Sequence, residues 1–146
     1  MKRFQFSLEH AMHWRRLRAG VERAKLESLY AALRHLDSQK ALLVEEESSA
    51  HDQVKNQDSV RAQQLLALDR FARHMSTRRE LLEARRVELF GAIARQQVKL
   101  IAAQRDFELL EKLKAHKKED WQHAFTREQE ELASEAYMAK WERQCS

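Results

Sequence analysis

Several polar side chains stand at spacings that could place two metal ligands on one side of a helix. His10 and His13 are three residues apart. His116, Asp120 and His123 follow at intervals of four and three. Zinc accepts imidazole and carboxylate ligands in such positions, but seven histidines scattered along a helical chain produce these spacings by chance. We therefore predict no metal site and no cofactor.

The sequence also lacks the motifs that support catalysis. It has no glycine-rich phosphate loop, no nucleophile elbow and no paired CxxC motif. The lone Cys145 has no partner for an internal disulfide, which fits a reducing cytosol. No run approaches the roughly 20 apolar residues of a membrane span, and the start lacks the apolar core of a signal peptide. We expect a cytoplasmic protein with no enzymatic activity and no small-molecule substrate.

A run of basic side chains near the start could contact acidic loops that line a protein pore. It comprises Arg15, Arg16 and Arg18, followed by Arg23 and Lys25. The alternative is a solvated helix face, since charge runs on long helices are common. The chain carries 27 basic and 23 acidic residues, a formal charge of +4 that permits nucleic-acid binding without requiring it.

Long helices must position these side chains, because the sequence has no proline and only two glycines. Charged residues make up 34% of the chain, which is typical of a coiled coil, and hydrophobic residues make up 43%, which is too many for a disordered tail. We predict an all-α fold, a long antiparallel two-helix coiled-coil hairpin.

Two apolar stripes recur at alternating intervals of three and four residues, the spacing of a coiled-coil seam. Trp14, Leu17, Val21 and Ala24 extend the first stripe toward the N-terminus in a shifted phase. The large apolar seam positions are Leu26, Leu29, Leu33, Leu36, Leu43 and Val54 in the first stripe, and Leu82, Leu89, Ile93, Leu100, Phe107 and Leu110 in the second.

The stretch from His51 to Gln64 is polar, and we expect the chain to turn there. This predicts a single elongated domain over residues 1–146, with helix one at about 8–56 and helix two at about 76–143. Residues 57–75 then hold the turn and either a short helix or the first turns of helix two.

The polar seam positions select a register for the antiparallel pair. We predict that the numbers of facing residues sum to about 136, because large apolar residues then face each other and several charges gain a partner. In this register residues 129–146 extend beyond the first helix, and Arg127 faces the basic run. The predicted facing pairs include Leu26 with Leu110, Val54 with Leu82, Glu22 with Lys114 and Lys40 with Gln96, while Glu47 is diagonal to Arg86.

Five apolar side chains crowd together after the turn: Leu65, Leu66, Leu68, Phe71 and Met75. They form either an exposed patch for a partner or a cap on the turn, and we favour the cap for Leu65 and Leu68. Phe71 and Met75, four residues apart, share one helix face and are the best candidates for partner contact.

The two ends of the chain carry motif-like segments. Residues 4–9 read FQFSLE, and residues 14–18 read WRRLR. Residues 110–114 read LEKLK, and residues 128–132 read EQEEL. These segments resemble the FliJ family, the small coiled-coil proteins of the flagellar type III export apparatus, which are related to the SctO/YscO stalk proteins of injectisomes. Trp121 stands at a usual tyrosine position of that family, Glu130 replaces a lysine, and Ala133 and Ser134 replace an acidic pair.

The resemblance implies a stalk that enters the pore of the hexameric export ATPase with its open end and meets the export gate protein FlhA, or an equivalent, with its turn. It also implies the escort of export chaperones, and a cytoplasmic protein associated peripherally with the inner-membrane export apparatus. Phe71 and Met75 are the expected gate contacts. The expected contacts with the ATPase ring are Trp14, Arg15, Arg16, Arg18, Trp121, Arg127 and Gln129.

Two other functions remain open from the sequence. One is a basic helical hairpin that binds nucleic acid, which ranks lower because aromatic residues are sparse and acids are interleaved with the bases. The other is a dimeric structural coiled coil whose seams pair between two chains.

Overall fold

A computed structural model describes residues 3–145 and consists of two long helices packed against each other. Helix α1 is Glu9–Lys55 and helix α2 is Ala62–Cys145. No strand occurs within residues 3–145. The prediction of an all-α helical hairpin is therefore confirmed. The ends of α1 lie within one residue of the predicted ends. The single domain was predicted over residues 1–146, of which residues 1, 2 and 146 lie outside the described part of the chain.

The loop between the helices, residues 56–61, is shorter than we predicted. Helix α2 begins at Ala62, so the apolar residues up to Met75 form its first turns, which was one of the two predicted alternatives, and the start at about residue 76 is wrong. The backbone N–H of Arg61 donates to Gln64 Oε1 at 2.9 Å, which caps the first turn of α2. With that cap in place and no proline or glycine between Ala62 and Gly91, nothing interrupts the helix between residues 62 and 75.

Contacts along the helices divide the chain into two compact units, each built from parts of both helices. The terminal unit contains residues 3–20 and 101–145, and the loop unit contains residues 21–100.

The loop unit buries a continuous seam. Leu36, Leu43 and Ile93 are 4–5% exposed. The other predicted seam positions of this unit are half-buried, namely Leu26, Leu29, Leu33, Val54, Leu82, Leu89 and Leu100. Phe107 and Leu110 are half-buried in the terminal unit.

Upstream of Leu26, the predicted shift of the apolar stripe is wrong. The seam keeps its phase through Ala19 and Met12, which are buried and half-buried in the terminal unit. Trp14, Leu17 and Val21 instead have 54–57% of their surface exposed. The apolar area of these three side chains does not outweigh the phase that the seam imposes on a continuous helix.

Polar pairs across the loop unit establish a register different from the predicted one. Arg86 Nε lies 3.1 Å from Asp37 Oδ1, and Gln96 Nε2 donates to the Glu22 backbone oxygen at 3.1 Å and to the Glu22 carboxylate. Two further ion pairs join Lys40 to Glu83 and Arg79 to Glu47.

The terminal unit has the same register. Arg15 Nη1 lies 2.7 Å from Asp106 Oδ2, and Lys114 Nζ lies 2.7 Å from Glu9 Oε2. The residue numbers of all these pairs sum to between 118 and 126. The predicted sum of 136 is thus wrong by about two heptads, and with it the predicted pairs of Glu22 with Lys114 and Lys40 with Gln96.

The short loop explains the difference. The predicted register placed Val54 opposite Leu82, which leaves an intervening segment far longer than the few residues that usually connect two packed helices. Because α2 is already helical from Ala62, α1 instead faces the early turns of α2. Met75, which is 4% exposed, then takes a seam position.

Two of the polar pairs stabilise carboxylates in their charged form. The hydrogen bond from the Gln96 amide, followed by that from Lys25, holds the pKa of Glu22 below its ordinary value of 4.5. The hydrogen bond from Lys40 likewise holds the pKa of Glu83 below 4.5. Each group therefore contributes stability above its unfolded-state pKa and loses that contribution as the pH falls through its folded-state pKa.

Exchanging the charges of one cross-helix pair tests the register. Lys40→Glu alone and Glu83→Lys alone should each destabilise the hairpin, and the double variant should recover most of the loss, because it restores a pair of opposite charges. Chemical denaturation of the four proteins measures the coupling between the two substitutions. In the predicted register Lys40 faces Gln96, so the absence of coupling between residues 40 and 83 would contradict the observed pairing.

Acid should weaken the hairpin partly through Glu22. We expect the midpoint of thermal unfolding to fall as the pH is lowered from about 5 toward about 3, and to fall less in Glu22→Gln, whose amide does not titrate. Circular dichroism at a series of pH values provides the measurement, with the exposed Glu27→Gln as the control. Equal pH dependence in Glu22→Gln and the wild type would show that this pair contributes nothing.

Candidate binding surfaces

The terminal unit presents an exposed tryptophan between two arginines. Trp14 has 57% of its surface exposed, and the Cζ atoms of Arg15 and Arg18 lie 5.4 and 5.7 Å from its ring centroid. Guanidinium groups at these distances are attracted to the π-face of indole and hold the ring in place. The flat apolar face of the indole ring therefore lies beside positive charge, a combination that is complementary to an acidic protein surface.

The three arginines predicted to contact an ATPase ring occupy different environments. Arg15 is 37% exposed and paired with Asp106, so it stabilises the seam as well as contacting Trp14. Arg16 and Arg18 are exposed, and neither forms an ion pair with any residue in the range 3–145. Of these three arginines, Arg16 and Arg18 therefore carry the positive charge that is available for a partner.

Trp121, another predicted ring contact, is half-buried in an aromatic cluster of the terminal unit. Its ring centroid lies 6.1 Å from that of Phe4, tilted by 57°, and 5.5 Å from that of Phe125, stacked within 12°. Phe6, in the segment before α1, is only 8% exposed. Trp121 thus helps to hold the N-terminal segment onto α2, and this role does not require a partner protein.

Arg127 and Gln129 are exposed on α2, apart from the basic run. Glu9, the first residue of α1, pairs with Lys114. Arg127 therefore lies beyond the start of α1, by about 20 Å at the α-helical rise. The expectation that Arg127 faces the basic run is wrong, because it depended on the incorrect register.

The two predicted gate contacts in the loop unit, Phe71 and Met75, differ in how accessible their side chains are. Met75 is 4% exposed and packed in the seam, so it does not present its side chain to a partner, and the expectation of a contact there is wrong. Phe71 is half-buried and lines an open groove with Leu42 and Ala50. Of the two predicted gate contacts, Phe71 is therefore the one that keeps an accessible edge.

The expected cap on the turn forms only in part. Leu68 is half-buried, whereas Leu65 and Leu66 have 54% and 61% of their surface exposed. The prediction that Leu65 folds back is wrong, since the short loop leaves its helix face without a covering segment.

Within the described residues, no group of three or more histidine, cysteine, aspartate or glutamate side chains could hold a metal ion. His123 Nε2 lies 3.9 Å from Glu119 Oε1, an exposed contact within one helix. None of the helices in this part of the chain has both the length and the apolar content needed to cross a membrane.

Comparisons with protein-family models, with curated proteins and with solved structures found no match to this chain.

Sequence reasoning missed the exposed faces that the correct register creates. Continuing the heptad backward from Leu26 without a change of phase would have placed Ala19 and Arg15 in the seam and turned Trp14 outward. The aromatic residues near the end, Tyr137 and Trp141, are also exposed, and their four-residue spacing was a signal available in the sequence.

Truncating the two predicted gate residues should separate packing from partner contact. We expect Met75→Ala to lower the free energy of unfolding by about 2 kcal/mol or more, since its buried side chain leaves a cavity, and Phe71→Ala to cost about 1 kcal/mol. Urea denaturation measures both. If Met75→Ala were as stable as the wild type, the seam position of Met75 would be wrong.

Proposed function

We propose that this chain is a non-catalytic coiled-coil component of a type III protein-export apparatus, flagellar or of the related injectisome type. In this proposal the terminal unit binds the hexameric export ATPase, and the loop unit meets the export gate protein, FlhA or an equivalent. Escort of export chaperones is a further part of the proposal. The protein would act in the cytoplasm at the inner-membrane export apparatus.

The observation that carries the proposal is the exposed arginine–tryptophan surface on a helical hairpin. Trp14 is fixed by its arginine neighbours, and Arg16 and Arg18 retain exposed charges. A rigid aromatic side chain beside guanidinium groups is the composition that dominates protein interfaces, and unpaired cations speed association with an acidic partner. The segments around Trp14 are also those that resemble the FliJ family.

The loop unit supplies a second, chemically different surface. The groove that contains Phe71 is lined by the apolar side chains of Leu42 and Ala50 and by the exposed carboxylates Glu45 and Glu46. A coupling protein needs two surfaces of different character so that one partner does not displace the other. This contrast supports the assignment of Phe71 to gate contact, with Met75 acting only in packing.

Charge reversal tests the ATPase contact. We expect Arg16→Glu with Arg18→Glu to weaken binding to a purified export ATPase by at least about tenfold, and to abolish any stimulation of ATP hydrolysis, because two cations become anions. Surface plasmon resonance and a phosphate-release assay provide the measurements. Arg15 is left unchanged because its reversal would break the Asp106 ion pair.

A matched control is available in the loop unit. Arg34→Glu with Arg85→Glu changes the net charge by the same amount at two exposed positions. This control should bind the ATPase like the wild type. Absence of binding by the wild-type chain would contradict the proposal. An equal loss of ATPase binding in both double variants would show that the contact is only a non-specific effect of charge.

A further inference from the structure

The last part of α2 lacks the packing that the rest of the helix has. Among residues 122–145, only Glu128 and Ala139 are half-buried, and the others are exposed. Tyr137, Met138 and Trp141 have 70%, 55% and 56% of their surface exposed. Three large apolar side chains so close together on an isolated helix form a surface that a soluble chain usually covers.

These three side chains share one helix face with acidic residues. Trp141 follows Tyr137 by four residues and Met138 by three, so the three are neighbours on the helix surface. Glu130 and Glu131 precede Tyr137 and Met138 by seven residues each and therefore lie on the same side, two turns away. Both glutamates are exposed. We call this set the C-terminal face.

Helix α1 of the same unit carries the complementary pattern. Trp14 and Leu17 are 57% and 55% exposed, and Arg18 lies over the Trp14 ring. Spacings of three and four residues place all three on one face, which we call the Trp14 face. Arg127, three and four residues before Glu130 and Glu131, lies beside them, so the two glutamates leave a net negative edge. The Trp14 face is therefore apolar with a positive edge, whereas the C-terminal face is apolar with a net negative edge.

The aromatic surface is large enough for a weak symmetric interface. A fully buried aromatic side chain removes about 150–250 Å² from water, so Trp14, Tyr137 and Trp141 at their observed exposures offer about 300–450 Å² in one chain. A two-fold arrangement uses each surface twice and doubles this area. With Leu17, Met138 and the charged edges added, the total approaches the roughly 1,000 Å² of a specific interface.

We propose that two copies of this chain associate through a symmetric exchange, in which the C-terminal face of each copy docks on the Trp14 face of the other. The seam within each hairpin stays intact. This dimer therefore differs from a coiled coil whose seams pair between chains. The inference stands independently of the proposed export function, but it has a consequence for that function, since dimerisation would cover Trp14 and Arg18 and compete with an ATPase.

Sedimentation velocity over a range of concentrations, in the presence of a reductant because Cys145 is exposed, tests the dimer. The wild-type chain should show a reversible monomer–dimer equilibrium. Tyr137→Ala with Trp141→Ala should raise the dissociation constant by at least about tenfold. The matched control Leu81→Ala with Val98→Ala removes two similarly exposed side chains from the loop unit and should leave the dissociation constant unchanged.

A mixing experiment distinguishes the proposed exchange from other dimers. Glu130→Lys with Glu131→Lys places two cations against Arg18 of the other copy. Arg18→Glu instead places a third anion against Glu130 and Glu131 of the other copy. Each variant should therefore be monomeric by itself, because like charges meet in its dimer. An equimolar mixture should dimerise, because both symmetry-related contacts of the heterodimer then join opposite charges.

Three results would overturn the proposal. They are a wild-type chain that is monomeric at every concentration, an Arg18→Glu variant that dimerises as well as the wild type, and a mixture that stays monomeric. Far-ultraviolet circular dichroism of each variant establishes that the helices are retained, so a loss of dimer is not attributed to unfolding.

Discussion

The pairing of polar side chains within the seam is the constraint on which the rest of the molecule depends. A heptad stripe of leucine and alanine packs almost equally well after a slip of seven residues, because the apolar pattern repeats. The charged seam positions do not repeat in this way. Asp37 meets Arg86, and Glu22 meets Gln96, only in the observed alignment. Gln96 is buried, and Glu22 and Arg86 are half-buried, so leaving them without partners would cost more free energy than their pairing gains. Their pairing therefore affects the register more than the stability.

The exposed surfaces follow from that alignment. Once Arg15 is held in the seam by Asp106, the geometry of α1 turns Trp14 and Leu17 outward. Because Glu9 faces Lys114, the last turns of α2 extend past the start of α1 and expose Trp141 and its neighbours. At the other unit, the same alignment buries Met75 and leaves Phe71 at the edge of a groove. Both candidate partner surfaces, and the proposed contact between two copies, are therefore consequences of where the two helices align.

The sequence was sufficient for the fold class and for the length of α1, because the absence of proline and the regular apolar spacing act locally along one helix. It was insufficient for the register, because that depends on the loop, and the loop has no glycine or proline to mark it. The polar segment 51–64 looked like a long turn, but its first and last residues are helical, and the Arg61–Gln64 cap starts α2 early. The errors at Met75 and Arg127 both derive from this single displacement. The prediction for Trp14 is wrong for a separate reason, since the phase of the seam outweighs the large apolar area of that side chain.

The distance between spin labels on the two helices tests the alignment most directly. In a Cys145→Ser background, one label replaces the exposed Ser38 and the second replaces either Arg85 or Val98, all three within the loop unit. The observed alignment places residue 85 beside residue 38 and displaces residue 98 along the helix by about 20 Å, at the α-helical rise for thirteen residues. Pulsed electron–electron double resonance should therefore give a clearly shorter distance between the labels of the 38/85 pair than between those of the 38/98 pair. A shorter distance for the 38/98 pair would contradict the register and every surface that follows from it.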